Sequence, residues 1–175
     1  MKKLFALMLA LCLLCSCAMA EEETAVLNWS DVANEQIEAS GTFQQLSIPD
    51  IATLIYWVPS NMAAVDVSQI QAEVPPVAVF ASADENYTLT VYALTITGIE
   101  DYLTELQGKG ASGFKNITVN GIDTVACESE EENMDILVIP VTETMVLVYF
   151  FTPLNGDDEW DEVKGVILSS IQVAQ

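Results

Sequence analysis

Histidine and arginine are absent from the 175-residue chain, and lysine is scarce. Five lysines stand against 26 aspartates and glutamates, for a formal net charge of −21. Without histidine there is no imidazole base near neutral pH and no imidazole metal ligand. Without arginine there is no bidentate guanidinium clamp for carboxylate or phosphate. A surface this acidic repels phosphate backbones, so nucleic acid is excluded as a partner. Cysteine is sparse as well: Cys12, Cys15 and Cys17 fall in the first twenty residues and only Cys127 lies beyond them. A domain with one cysteine has no internal disulfide, and its core must suffice without staples.

What is present is apolar. Hydrophobic residues make up 51% of the chain, too many for a disordered acidic tail. A domain of this length buries roughly 68–70% of the surface its unfolded chain exposes. The carboxylates therefore form a solvated shell around a folded body. The shell favours a soluble monomer and costs stability through self-repulsion.

The first twenty residues, MKKLFALMLALCLLCSCAMA, read as an export signal. Lys2 and Lys3 make a positive start, and residues 4–14 are an unbroken apolar run. That run is shorter than the roughly 20 residues a membrane span needs. Ala18-Met19-Ala20 offers the small side chains a signal peptidase accepts, which puts cleavage after Ala20. Loss of Lys2 and Lys3 then takes the net charge from −21 to −23, with Lys109, Lys115 and Lys164 as the remaining cations. Leu14-Cys15-Ser16-Cys17 resembles a lipobox and offers a second route, in which an acylated Cys17 anchors the chain to a membrane. Both routes lead to an exported protein, secreted or associated with the cell envelope. The segment 21–27 is acidic, and residues 28–175 read as one domain without a linker.

Along that domain the hydrophobic period alternates between helix and strand. A first helix is expected at about 31–39, capped by Ser30 or Asp31 and closed at Ser40-Gly41. Residues 42–48 and 51–58 are strands that turn at Pro49-Asp50, with Pro59 as a stop. Further strands are expected at 77–81 and 87–97, then a helix at 98–107 with Ile99, Tyr102, Leu103 and Leu106 on one face. Asn120-Gly121 joins residues 114–119 to 122–128 as a two-residue hairpin pairing Val119 with Ile122. Residues 134–140 and 144–152 form another apolar pair. Asn155-Gly156-Asp157 caps a last helix at about 157–171 whose stripe is Trp160, Val163, Ile167, Ser170 and Ile171. The order α-ββββ-α-ββββ-α predicts an α+β sandwich, an antiparallel sheet built from hairpins and covered by amphipathic helices.

Groups with chemical potential each have a plain structural role. Cys127 is the single thiol available as a nucleophile. Its neighbours Glu128, Glu130 and Glu131 raise a thiol pKa, and it shares a face with Val125, so a buried inert thiol is expected. Serine chemistry would need a lysine base, and the lysines fall on helix ends or in the first strand of the hairpin. With 26 acids, any carboxylate pair proposed for glycoside hydrolysis is uninformative. Trp29, Trp57 and Trp160 read as core anchors.

Two acidic clusters, residues 128–132 and 155–162, raise calcium binding. The weak metal candidates are Asp157, Asp158, Asp161 and Glu162. Calcium wants about six to eight oxygens around a turn, and here Gly156 precedes the acids instead of sitting among them. The alternative is a helix start and a solvated hairpin tip. The Asn-x-Ser/Thr triplets at Asn28, Asn86 and Asn116 are chance matches in a bacterial export context.

The element order, the segment SIPDIATLIYWVPSNM, the hairpin NITVNGIDTVACE and the closing VILSSIQ together resemble the PsbP-like fold superfamily. The likeness spans roughly residues 40–172 and is one of order and spacing. That superfamily includes the extrinsic photosystem II subunit, small exported bacterial proteins and a Ran-binding nuclear-transport factor. With NWSDV after the signal, the nearer likeness is to exported proteins of gut-type Gram-positive bacteria. What the resemblance implies is a non-enzymatic binding or assembly module, and it carries over no catalytic or ligand residue and no cofactor. The expected role is an exported accessory module of the cell envelope with a protein or glycan partner. A calcium-responsive surface protein and a carboxylate-based hydrolase are the alternatives.

Overall fold

The computed structural model describes residues 24–49 and 51–174. The leader, the Ala20 cleavage site, the Cys17 lipidation site and residues 21–23 lie outside them. In chain order the elements are β1 (Ala25–Leu27), α1 (Trp29–Val32), α2 (Glu35–Ala39), β2 (Gly41–Ile48), β3 (Ala52–Pro59), β4 (Met62–Ala64), β5 (Ala78–Ser82) and β6 (Thr88–Thr95). There follow α3 (Ile99–Gly108), β7 (Ala111–Val119), β8 (Ile122–Ser129), β9 (Met134–Thr142), β10 (Met145–Thr152), α4 (Asp158–Ser170) and β11 (Gln172–Val173). No helix among the described residues is long and apolar enough to cross a membrane.

The fold is α+β, with an eight-stranded sheet ordered β1-β7-β8-β9-β10-β6-β5-β4 and a three-stranded sheet ordered β11-β3-β2. Between the sheets and α4 lies the main core, where Tyr56, Leu89, Leu137, Tyr149, Trp160 and Ile167 are buried. A second core lies on the other face of the large sheet, where α3 covers Cys127, Ile136, Val138, Val146 and Val148. Successive residues of a strand point to opposite faces, so β9 and β10 feed both cores. That is why 136–139 and 146–149 read as continuous apolar runs.

The element order departs from expectation in four places. The helix expected at 31–39 is two short ones, because the Asn34 side chain accepts hydrogen bonds from the N–H groups of Gln36 and Ile37, both at 3.0 Å, and starts a new helix. Residues 25–27, expected to precede the domain, form β1, which runs parallel to β7 with Leu27 opposite Val119. The large sheet is therefore not purely antiparallel. Three residues are too few to reveal a period. β4 makes five strands, instead of four, between α2 and α3, and β11 follows α4.

Pro59 ends β3 from within. It stands opposite Gly41, while the 58–42 and 60–40 pairs carry the hydrogen bonds, so its missing N–H costs no ladder bond. Gly41 is there for closeness: a Cβ on it would run into the indole of Trp57. The hairpin forms in the expected register, with Val119 opposite Ile122 and Ile117 opposite Thr124. Asn120 and Gly121 both adopt positive φ, at 47° and 81°, as the two-residue turn demands.

Candidate functional site

Cys127 sits in the second core and is 6% exposed. Burial, followed by the nearby carboxylates of Glu128 and Asp135, pushes its thiol pKa up to about 12. A thiol held neutral to that degree is a packing group, as the sequence implies. Trp57 and Trp160 are buried in the main core, and Trp160 stacks on Tyr87 with ring centroids 4.9 Å apart. Trp29 is half-buried and meets Phe43 edge-on at 5.3 Å.

Lys164 is a correction to the expectation that the lysines lie on helix ends or in the hairpin. It stands inside α4 and is 8% exposed. Its ammonium reaches Asp135 Oδ2 at 2.6 Å, Asp161 Oδ1 at 2.9 Å and the Leu154 carbonyl at 2.9 Å. Three donors meet three acceptors, so the charge is satisfied within the fold. The network ties α4 to β9 and to the loop before α4. Asp135 has a raised pKa, because burial outweighs the stabilising hydrogen bond from Lys164 and Asp161 adds repulsion. The only sequence signal for this node is a lone cation at a position on the helix near Trp160 and Ile167, and charge alone sends a lysine to the surface by default.

Among the four metal candidates, Asp157 caps α4 by accepting from Trp160 N–H at 2.9 Å and takes the Tyr87 hydroxyl at 2.8 Å. Those two hydrogen bonds, the backbone one first, hold its carboxyl below the usual range. Asp161 is the partner of Lys164. Asp158 and Glu159 complete the acidic first turn of α4, and Glu162 follows in the same helix. Among the described residues no group of three or more histidine, cysteine, aspartate or glutamate side chains is arranged to hold a metal ion.

Two open clefts lie beside each other on β7 and β8, of about 380 Å³ and about 210 Å³. They share Asn116 and Val125. The larger reaches Asp123 and Pro140, and the smaller is bounded by Leu103 of α3 and by Phe114 and Lys115. Thr24, Asn116, Asp123 and Thr124 line the larger and Thr104, Gln107, Lys115 and Asn116 the smaller, whereas Asp135, the one carboxylate with a raised pKa among the described residues, lines neither.

Asn120 has a second role beyond its turn. Its side chain accepts from Trp29 N–H at 2.9 Å and donates to the carbonyls of Ser169 and Ile171 at 2.7 and 2.8 Å. Its own N–H bonds to the Leu27 carbonyl at 2.8 Å. The hairpin tip thus fastens β1, the start of α1 and the end of α4 together.

No family model matches the chain, and no curated protein matches it. Among solved structures it is similar to the solution structure of cyanobacterial PsbP (CyanoP) from Synechocystis sp. PCC 6803. The two share 14% identity over 92% of this chain and 99% of that one, at a TM-score of 0.47. Likeness at that level passes no residue and no role from one protein to the other.

Proposed function

We propose that the chain is a non-enzymatic binding or accessory module, exported by a bacterium and acting at its cell envelope on a protein or glycan partner. The observation that carries this reading is the state of Lys164, whose ammonium is met by Asp135, Asp161 and the Leu154 carbonyl. Among the described residues, the one deeply placed cation works for the fold, as does the single cysteine, Cys127. Among the described residues neither group serves as an activated nucleophile or base, which favours recognition by the surface. Export rests on the leader, with release after Ala20 or anchoring through Cys17. The test is equilibrium binding of the full chain, recovered as the cell processes it, to isolated wall and membrane fractions. Saturable binding is expected, removed by protease treatment for a protein partner or by glycan digestion for a glycan. Turnover of an ester, peptide or glycoside that Asp135→Asn abolishes would overturn the reading.

A further inference from the structure

The four terminal strands of the two sheets are unequal. β1 and β4 have three residues each, and β11 has two, so those edges offer little to pair with. β2 has eight residues, Gly41–Ile48, and its sequence GTFQQLSI holds no charge, no proline and no bulge. Long edges are commonly blunted by one of those devices, because unpaired backbone groups invite another strand.

Alternation identifies which groups are unpaired. The Trp57 N–H donates to Ser170 Oγ, and the Thr53 carbonyl accepts from Ala174 N–H, so the odd residues of β3 point away from β2. The even residues of β3 therefore bond to the even residues of β2, at Thr42, Gln44, Leu46 and Ile48. The N–H and C=O groups of Phe43, Gln45 and Ser47 face outward, and no backbone group among the described residues bonds to them. Beside them Phe43 is 42% exposed, with Trp29 edge-on behind it, which gives an apolar seat for one side chain of an incoming strand.

The charge around this edge selects the occupant. Glu35 and Glu38 stand on α2, which is separated from β2 by one residue, while Lys115 and Lys164 lie on β7 and α4 and Lys109 follows α3. A second copy would bring its own carboxylates and a net charge of the same sign. Building on the binding-module reading, we propose that the outer edge of β2 takes an extended, lysine- or arginine-rich strand from a partner protein, which adds a fourth strand to the small sheet. Main-chain hydrogen bonds at Phe43, Gln45 and Ser47 supply the register, and the carboxylates of α2 select the charge.

The probe is a synthetic peptide of about eight residues alternating lysine with valine or threonine, against its glutamate-for-lysine counterpart. It is titrated into the full chain, recovered as the cell processes it, while amide exchange is followed. The lysine peptide should bind and slow exchange at Phe43, Gln45 and Ser47, and the glutamate peptide should not. Gln45→Pro removes an N–H that makes no native bond, so the fold should persist while binding weakens at least tenfold. Gln45→Lys, which leaves the backbone intact, should weaken it as well. Unchanged binding in both variants would show attraction by charge alone and overturn the proposal, as would a dimer of this chain that Gln45→Lys dissolves. Envelope binding that survives in both variants would also overturn it and leave the binding-module reading standing. Failure of the unaltered chain to bind any envelope fraction would remove both.

Discussion

Tyr149 is fully buried, and its hydroxyl meets no hydrogen-bond partner among the described residues. Its ring lies edge-on to Tyr56 at 5.5 Å, in the main core. Burial drives the pKa of Tyr149 well above that of an ordinary phenol, and the neighbouring Tyr56 adds to it. The ring belongs there, whereas the oxygen is a desolvated polar atom with nothing to bond. An unsatisfied buried group costs about 1–3 kcal/mol. Tyr149→Phe is therefore expected to stabilise the chain by about 1 kcal/mol, seen as a higher urea midpoint at unchanged slope. A loss of the same size would mean that the oxygen is satisfied by a bound water. From the sequence, a tyrosine in the run LVYFF is simply an aromatic strand residue, since a partner for its hydroxyl depends on what folds over it.

Helix α4 shows how much of an element is legible before its surroundings are known. Trp160, Ile167, Ser170 and Ile171 are buried at the spacing the sequence gives them, Val163 is half-buried, and within the expected Asn155-Gly156-Asp157 cap it is Asp157 that accepts from the helix. The burial of Lys164 was hidden, because it depends on Asp135 arriving from β9, 29 residues away in sequence. The same distinction separates the hairpin of β7 and β8, written in Asn120-Gly121, from β1, whose pairing with β7 spans most of the chain. It also separates the local turn chemistry of Asn120 from its bonds to Ser169 and Ile171.

Lys164→Met tests the node. Breaking a buried ion pair costs about 3–5 kcal/mol, and the 36% exposure of the Asp135 side chain reduces this to about 2 kcal/mol at pH 7. The folded pKa of Asp135 lies above its unfolded value. Its contribution to stability is thus complete below the unfolded value and is lost as pH rises through the folded one. Removing Lys164 takes away the attraction that holds the folded value down, so that loss shifts to higher pH. Lys164→Met should accordingly regain stability as pH is lowered from neutral through the raised pKa of Asp135, and adding Asp135→Asn should flatten the profile. Urea melts across that range decide it, and a flat profile in the single variant would sink the account.

At the scale of the whole molecule, two features compete. Non-local pairing sets the topology: β10 lies between β9 and β6, and the small sheet joins β3 to the last residues of the chain. No local motif encodes those neighbours, so class and hairpins were legible while strand order was not. The packing must hold against 26 carboxylates opposed by five lysines. At physiological ionic strength the screening length is about 8 Å, comparable to the spacing of charges on such a surface, so added salt should raise the melting temperature. Calcium and magnesium at matched ionic strength should raise it equally, because Asp157 and Asp161 already serve Trp160, Tyr87 and Lys164. A specific site at 100 times its dissociation constant would add about 2.7 kcal/mol, or roughly 5–10 °C in a domain of this size. A calcium shift of that size over magnesium would mean that the acids of α4 leave their present partners for the ion. Equal shifts would identify the acidic shell as a source of self-repulsion that any cation relieves, a cationic protein strand included.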